Sequence, residues 1–284
     1  MRKIFFTALV GAMMISCSRD NDDNGSVTND TSILPTKIIS SYKYREDIET
    51  TYTYNGNKLV KESSKYGNDI FYTYTGDLIT SKYGKGWSRT FTYDSNGNLI
   101  SEKLMRGKNS IDDITYTING STVTAQSVAK NYSQLDGVLS SISTSTITYT
   151  LDEKKRPIKY TIALQKVGEE NVNLNGTCTY SYNNHMSVMQ NITGMDKLAY
   201  SSVALGLSYY SKRSNFTVEV QDYLLLPFSY AKEDLSSYSY PHESKIEYTL
   251  NANNYPTRTK KLSYNPYNGQ YEDNGYYYTI EYNK

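Results

Sequence analysis

The stretch Tyr52–Val60 reads YTYNGNKLV, and near-copies of it recur along the first half of the chain. FYTYTGDLIT occupies residues 71–80, TFTYDSNGNLI occupies residues 90–100, and ITYTINGSTV occupies residues 114–123. In each copy an apolar or aromatic residue alternates with threonine, serine or another polar residue. This period of two predicts β-strands with one buried and one wet face, which is typical of antiparallel sheets.

Short turn signals separate the strands. Asn55-Gly56, Asn96-Gly97 and Asn119-Gly120 favour tight hairpins, because glycine adopts a positive φ without steric cost. A second short strand and a second turn follow, so that one repeat holds two strands and two turns. The tyrosines before successive turns are 20 and then 19 residues apart, as such a unit requires. The sequence therefore predicts an all-β fold, an antiparallel meander of hairpins that forms one large curved sheet or open barrel.

The chain contains 31 tyrosines, and the repeat places many of them on one strand face. A tyrosine can bury its ring while its hydroxyl stays at a wet edge, and aromatic side chains on neighbouring strands pack against each other. We interpret the tyrosine stripe as the core face of the sheet. The alternative is a platform for a ligand.

Residues 1–16 have the features of a signal peptide. Arg2 and Lys3 give a positive start, and residues 4–15 form an apolar run that is too short to cross a bilayer. The run ends in MMISC, which resembles the lipobox of bacterial lipoproteins, where the cysteine is lipidated and becomes the first mature residue. The resemblance predicts lipidation of Cys17, and a secretory signal cut elsewhere is the alternative.

Residues 17–35 are rich in Asp, Asn and Ser without apolar periodicity, which predicts a flexible acidic tether. Acidic residues directly behind a lipobox cysteine also resemble the surface-export signal of Bacteroidota lipoproteins. Residues 20–25 read DNDDNG and match the opening of a calcium loop, but the twelfth position is Thr31 instead of glutamate. Residues 36–284 form a single predicted domain, and two halves that meet near residues 131–137 are the alternative.

Charge and cysteine content exclude several classes of function. Without residues 1–16 the chain keeps 28 basic and 29 acidic side chains, a formal charge of −1. Such a chain lacks the basic surface that nucleic acid requires, and its scattered charges do not predict binding to an anionic membrane. With Cys17 lipidated, Cys178 is the one remaining thiol, so no internal disulfide forms. Cys178 lies in a predicted strand and is interpreted as a small buried residue.

The repeat is interrupted between residues 194 and 241. Asp196 can open a helix, and the apolar residues after it lack strand alternation, so we predict one short helix near residues 195–212. The strand pattern resumes after Pro241.

A longer motif carries a family resemblance. TFTYDSNGNLISEK, residues 90–103, resembles the Tyr-Asp (YD) repeat of Rhs-type proteins, with Tyr93, Asp94, Gly97 and Leu99 at the positions of the repeat. The whole arrangement resembles Bacteroidota cell-envelope lipoproteins with degenerate YD repeats. The resemblance implies an extended antiparallel sheet without known catalytic residues or an established ligand. The shell that large Rhs proteins build around a toxin is not implied, because the chain has few repeats and no cargo domain.

Catalytic constellations are scarce. His185 and His242 have no metal-ligand spacing, and the chain has no nucleophile elbow, phosphate loop or dinucleotide fingerprint. Adjacent acids at residues 112–113, 169–170 and 233–234 are interpreted as solvated turn residues. We therefore predict no enzyme activity, no metal and no cofactor.

The preferred function is a non-catalytic binding or structural role at the outer membrane, with the domain lipid-anchored and surface-exposed. Its partners are the membrane, through the lipid on Cys17, and a glycan or an envelope protein, but not nucleic acid. Because aromatic rings stack on sugar faces, aromatic residues near polar loops are the candidate contacts; they are Trp87, Tyr209, Tyr210, Tyr267 and Tyr271. Packing is the alternative for Trp87.

Two other functions remain as alternatives. One is an envelope hydrolase of glycan or peptide that uses Asp222, Glu233 and Asp234. The other is an assembly factor with an apolar groove for a lipid or a partner strand.

Overall fold

The computed structural model describes residues 30–67, 69–167, 172–201, 226–235 and 240–284. Within these ranges the chain forms sixteen β-strands, which pair antiparallel in chain order. The last strand also pairs with the first, from Tyr282 opposite Pro35 to Tyr276 opposite Tyr42. The predicted all-β meander is confirmed, and the sheet closes on itself as a barrel.

The strands differ in length: β3–β7 have 6 to 8 residues each, whereas β8–β12 have 10 to 13. Their bounds are β1 Pro35–Tyr42, β2 Arg45–Asn55, β3 Lys58–Ser64, β4 Ile70–Thr75, β5 Leu78–Gly84, β6 Trp87–Tyr93, β7 Leu99–Arg106, β8 Ser110–Asn119, β9 Thr122–Tyr132, β10 Leu139–Leu151, β11 Pro157–Val167, β12 Val172–Tyr182, β13 Phe228–Leu235, β14 His242–Leu250, β15 Pro256–Asn265 and β16 Gln270–Tyr282.

Side-chain alternation divides every strand between the inside and the outside of the barrel. In β2, Tyr52 and Tyr54 point inward and are partly buried, whereas Thr51 and Thr53 point outward and are exposed. Outward positions elsewhere are mostly threonine, serine, lysine and glutamate. Exposed outward threonines include Thr73, Thr90, Thr92, Thr115, Thr117, Thr146, Thr161, Thr179 and Thr279. The face that the repeat marks as the core is therefore the inner face, and the outer wall is mainly polar, with exposed apolar residues such as Val60, Phe71 and Ile100 among the polar ones.

The interior is filled from one end. Residues 183–201, which we call the plug segment, lie at one end of the barrel, and we call this end the plugged end. The same end holds the turns after β2, β4, β6, β8, β10 and β14. Ile192, Met195 and Leu198 of the plug segment are buried in the main core. They join inward residues that directly follow the turns, among them Leu59, Ile79, Leu99 and Val123.

Gly194 shows how closely the plug segment approaches the turns. Its φ is 80°, and a Cβ built on it would lie 2.7 Å from the carbonyl oxygen of Asp77. Any other residue would be strained there in backbone conformation and in packing. The glycine therefore sets the depth at which the plug segment enters the barrel.

The hairpins slip in register next to the plugged end. A shift falls between Thr92 and Tyr93 of β6, and matching shifts occur in β2, β4, β10, β12 and β14. Such bulges bend the strands, and neighbouring hairpins separate beyond them. Ladder pairing between β5 and β6 ends at Ser81 and Thr90, so the carbonyl of Ile79 lies outside it. That carbonyl accepts a hydrogen bond of 2.8 Å from the Tyr93 hydroxyl.

The same tyrosine–carbonyl bond recurs around the barrel. Its donors and acceptors are Tyr54 to Pro35 at 2.7 Å, Tyr248 to Phe228 at 2.6 Å, Tyr282 to Pro256 at 2.8 Å, and Tyr182 to Pro157. A buried carbonyl left without a donor costs about 1–3 kcal/mol. The repeated tyrosine therefore packs its ring in the core and closes the gap between two hairpins with its hydroxyl.

The plug segment supplies this bond where the repeat lacks its tyrosine. β8 has Ile118 opposite Val123, at the position that Tyr93 holds opposite Leu99 in the preceding hairpin. The carbonyl of Leu99 instead accepts a hydrogen bond of 3.3 Å from Tyr200 of the plug segment.

The aspartate of the YD motif fixes the turn. Asp94 Oδ1 accepts hydrogen bonds from the backbone N–H groups of Asn96 and Asn98, at 2.8 and 2.9 Å. Two other turns share this geometry. In them, the Oδ1 atoms of Asp152 and Asn251 accept hydrogen bonds from the backbone N–H groups of Arg156 and Tyr255, four positions later. The residue three positions on has a positive φ in all three turns; these residues are Gly97, Lys155 and Asn254.

The helix predicted near residues 195–212 is much shorter in the part that the structure describes. A single 3-10 turn spans Met195–Leu198, and residues 202–212 lie outside the described residues. Gly194 precedes the turn and provides no side-chain cap, so the local sequence supports one turn without initiating a longer helix.

Candidate functional site

A cleft of about 610 Å³ lies at the plugged end, between the plug segment and the neighbouring turns. One wall comes from the β6–β7, β8–β9 and β10–β11 turns, through Asn98, Gly120 and Lys154 among others. The other wall is the start of the plug segment, from Asn183 to Ser187. The volume falls within the range of small-molecule pockets.

The floor of the cleft is apolar. Val123, Leu151, Ala199 and Leu226 line it and are themselves buried. The plug segment adds three methionines; they are Met186, Met189 and Met195. Methionine is unbranched and flexible, so it adapts to ligands of irregular shape. The floor therefore offers an adaptable apolar surface.

The mouth of the cleft is basic on one side. Arg156 already has two partners. It forms an ion pair with Asp152 at 2.7 Å, and its guanidinium lies 4.2 Å from the centre of the Tyr182 ring. Lys154 and Lys155 are exposed, and neither has an ion-pair partner within the described ranges. Two lysines without an ion pair in the described ranges therefore stand at this side of the mouth, and the cleft is also lined by Asp196, which pairs with Lys197 at 3.2 Å.

His185 lines the opposite side. Its ring centre lies 4.0 Å from that of Tyr248, and its Nδ1 lies 2.8 Å from the carbonyl oxygen of Met186. Burial lowers the pKa of His185, although the contact with Met186 opposes the shift. The imidazole is therefore neutral at neutral pH and adds no charge to the mouth.

Away from the plugged end, the inner face carries charges that pair within the wall. Glu102 has a fully buried side chain that accepts hydrogen bonds from Arg89 at 3.2 Å and from Tyr116 at 2.6 Å. Arg106 binds Asp112 at 2.8 Å in the next pair of strands. Glu102 and Asp112 are therefore bound by Arg89, Tyr116 and Arg106 within the barrel wall, and we interpret them as structural residues.

Trp87 packs against the barrel wall. Gly84 lies directly opposite it across β5 and β6, and a Cβ on Gly84 would be 2.8 Å from the indole nitrogen. The missing side chain thus makes room for the indole. This contact supports the packing interpretation of Trp87.

Tyr267 and Tyr271 belong to one hairpin, β15–β16, far around the barrel from Trp87. The Tyr271 hydroxyl donates to Glu243 at 2.9 Å, and the Lys245 ammonium lies 4.0 Å from the ring centre. Tyr267 is exposed at the tip of the turn, edge-on to Tyr240 at 6.3 Å. Tyr271 is already engaged by its neighbours, whereas Tyr267 is accessible.

The adjacent acids at 112–113 and 233–234 lie in strands instead of turns. Glu233 and Asp234 are consecutive in β13 and point to opposite faces. In β8, Asp112 binds Arg106, whereas Asp113 lies 3.8 Å from Lys103. The strand period explains the correction, because neighbours in a strand never share a face.

Several predicted features lie outside the described residues. These are Cys17, Tyr209, Tyr210, Asp222, the acids at 169–170 and the calcium-loop match at 20–25. Cys178 is described, and it is fully buried in β12, where burial raises the pKa of its thiol.

The described ranges contain neither a metal-binding cluster nor a membrane-spanning helix. No group of three or more His, Cys, Asp or Glu side chains is placed to hold a metal ion. No helix in these ranges is long and apolar enough to cross a membrane.

The sequence did not predict the cleft. Its walls come from turns more than fifty residues apart, which the repeat alone cannot place side by side. The methionines in HMSVMQNITGM, residues 185–195, just before the interruption of the repeat, are the signal that could have indicated it.

Comparisons with known proteins support the barrel. No protein-family model matches the chain, and no curated protein is similar to it. A solved porin-like protein from Bacteroides vulgatus is similar, with a TM-score of 0.53 and 13% identity over 88% of this chain and 98% of that chain. A porin-like protein from Bacteroides uniformis has 14% identity over 87% of this chain and 96% of that chain, but its TM-score of 0.33 supports no argument. At such identities the likeness shows the fold alone.

Proposed function

We propose that this chain is a lipid-anchored outer-membrane protein with a non-catalytic binding or structural role, performed by a barrel that stands in water. The observation that carries the proposal is the polar outer wall. Membrane-spanning barrels present an outward apolar band between aromatic girdles. This wall presents rows of exposed threonines instead. Attachment to the membrane then falls to a lipid on Cys17.

The position of the first described residue supports an orientation. The carbonyl of Asp30 accepts a hydrogen bond of 3.0 Å from Asn191 of the plug segment. Asp30 therefore lies at the plugged end. Residues 18–29 join it to Cys17, and a chain of that length spans at most roughly 45 Å. The anchor would hold the plugged end toward the membrane.

The opposite end, formed by the turns after β1, β3, β5, β7, β9 and β15, would then point away from the membrane. Its large exposed side chains are Tyr44, Tyr66, Leu135, Val138 and Tyr267. Isolated surface tyrosines beside polar turns can contact a sugar or a protein. We assign this end as the contact surface for an envelope glycan or protein.

Placement of the reactive side chains supports a non-catalytic role. Glu233 and Asp234 point to opposite faces of β13. His185 and His242 lie at different ends of the barrel, so neither histidine can orient the other.

Metabolic labelling with an alkyne fatty acid tests the anchor. We expect label on the wild-type chain and on Cys178→Ala, and none on Cys17→Ser, because Cys17 and Cys178 are the only two cysteines. Label that persists on Cys17→Ser would overturn the proposed anchor.

Labelling of intact cells with a membrane-impermeant amine reagent tests exposure at the surface. We expect modification of Lys85 and Lys108, which belong to turns at the opposite end. Modification only after lysis would show that the barrel faces the periplasm, and the surface assignment would then be wrong.

A further inference from the structure

We propose that the cleft at the plugged end binds a single-chain anionic amphiphile, a molecule with one flexible apolar chain and one acidic head group. This site is independent of the anchor on Cys17. It also differs from the contact surface assigned above, which lies at the other end of the barrel.

The floor accounts for the apolar chain. Leu151 ends β10 and Leu226 lies just before β13, and the small Ala199 lines the same floor, where a larger residue would take up space. Met186 and Met189 border this space with unbranched side chains that can follow a flexible ligand. A rigid planar ligand would not need so adaptable a lining.

The mouth accounts for the acidic head. Several lysines elsewhere on the barrel are paired, as in Lys61 with Asp69 at 2.7 Å and Lys232 with Glu243 at 3.0 Å, whereas others, such as Lys85 and Lys108, form no ion pair within the described ranges. Lys154 and Lys155 are not paired in this way within the described ranges, and both line the cleft. A carboxylate placed above the apolar floor would lie within reach of both ammonium groups.

The position of Lys155 is fixed by its backbone. Its φ is 62°, and its N–H donates to the carbonyl of Asp152 at 3.0 Å within a closed turn. The backbone that carries both lysines is therefore preorganised, which lowers the entropy lost when a ligand binds.

Titration with dansyl-undecanoic acid, below its micelle concentration, tests the site. The chain from Ser18 to Lys284 keeps every described residue, and on the proposed function it needs no detergent. We expect saturable binding at one site. A matching probe with an amide in place of the carboxylate should bind about tenfold more weakly, because it lacks the charge.

Charge reversal locates the head group. We expect Lys154→Glu/Lys155→Glu to raise the Kd about tenfold. The control is Lys103→Glu/Lys159→Glu on the outer wall, which should leave the Kd within a factor of two. Ala199→Leu, checked for an unchanged melting transition, should abolish binding by filling the floor.

A tryptophan reporter locates the chain. Trp87 is the only tryptophan and lies at the opposite end, whereas Ile118 lines the cleft. The two ends of a ten-residue strand such as β8 are about 30 Å apart. Ile118→Trp in a Trp87→Phe background should transfer energy to the bound dansyl group far more strongly than Trp87 does in the wild-type chain.

Three outcomes would each overturn the proposal. They are the absence of saturable binding, a Kd unaffected by both the lysine reversal and Ala199→Leu, and stronger energy transfer from Trp87 than from Trp at position 118.

Discussion

The two ends of the barrel are built from the same hairpins and are stabilised differently. At the plugged end, Leu59 and Ile79 are fully buried against the plug segment, and tyrosine hydroxyls bridge neighbouring hairpins. At the opposite end, Leu135 and Tyr267 are almost fully exposed. Between Glu102 and that end, the inner face carries the paired charges of Arg106 and Asp112.

The difference shows that one repeat can serve two purposes. Residues that directly follow the turns at the plugged end are inward and apolar, so they supply the core. Residues at the opposite turns, such as Leu135 and Tyr267, are mostly exposed. Buried contacts are concentrated at one end, and the other end presents exposed turns, the kind of segment on which binding residues are often found.

The largest expected effect concerns the buried pair of Glu102 and Arg89 on the inner face of the barrel. Glu102→Leu should lower the free energy of unfolding by about 3–5 kcal/mol, because the buried Arg89 loses its carboxylate. Urea denaturation measures this effect. Lys103→Leu is the control, since its pair with Asp113 is exposed and should change stability by less than about 0.5 kcal/mol. Equal effects would mean that Glu102 does not act through its buried pairing.

A second prediction compares the two ends directly. Leu59→Ala should cost about 2–5 kcal/mol, because it leaves a cavity in the core beside the plug segment. Leu135→Ala at the opposite end should change stability by less than about 0.5 kcal/mol. Thermal or urea unfolding of the two variants measures the contrast, and similar losses would contradict an uneven distribution of stability.

A third prediction isolates the tyrosine–carbonyl bond. Tyr93→Phe should cost about 1–3 kcal/mol, because the carbonyl of Ile79 loses its donor. Tyr149→Phe is the matched control. The Tyr149 hydroxyl is buried and has no hydrogen-bond partner in the described part of the chain, so its removal should be neutral or stabilising. A larger loss for Tyr149→Phe would refute this role of the repeated tyrosine.

The smallest expected effect is a difference between the two histidines in how their pKa values respond to salt. Burial lowers the pKa of both, and for His242 at the opposite end the charge of Lys261 lowers it further. Salt screens the charge but not the burial. NMR titration should therefore show the pKa of His242 rising toward its ordinary value in high salt, while that of His185 stays unchanged.

The same shifts set a pH dependence. Because both folded-state pKa values are lowered, the unfolded chain binds more protons as the pH falls through the ordinary histidine value of 6.5. Stability is therefore expected to decrease from pH 7 to pH 5. His185→Gln/His242→Gln should reduce this slope in urea unfolding, and an unchanged slope would assign it to other groups.

Much of the fold could be predicted from the sequence, because it depends on local patterns. Alternation in YTYNGNKLV identifies the inward face, and each turn glycine marks a hairpin that the structure contains. Closure could not be predicted, since it depends on β1 meeting β16 after fifteen small rotations between neighbouring strands, a sum that no single strand encodes.

The candidate site was less predictable for a related reason. The repeat has no equivalent of the plug segment, so nothing in its period indicates that Met186 and Leu151 lie beside one cleft. The aromatic residues chosen near loops were identified by type, and type did not distinguish the packed Trp87 from the accessible Tyr267.

The pairing of β1 with β16 also has a consequence for the order of folding. The hairpins join neighbours in sequence and can form early, whereas this seam joins Ile38 to Ile280 and must form late. Until it forms, both strands are edges with unpaired backbone groups, which can recruit a strand from another molecule. The chain is therefore most prone to aggregate just before this last step of folding. Chaperones that shield strand edges would matter more to this protein than those that shield apolar side chains.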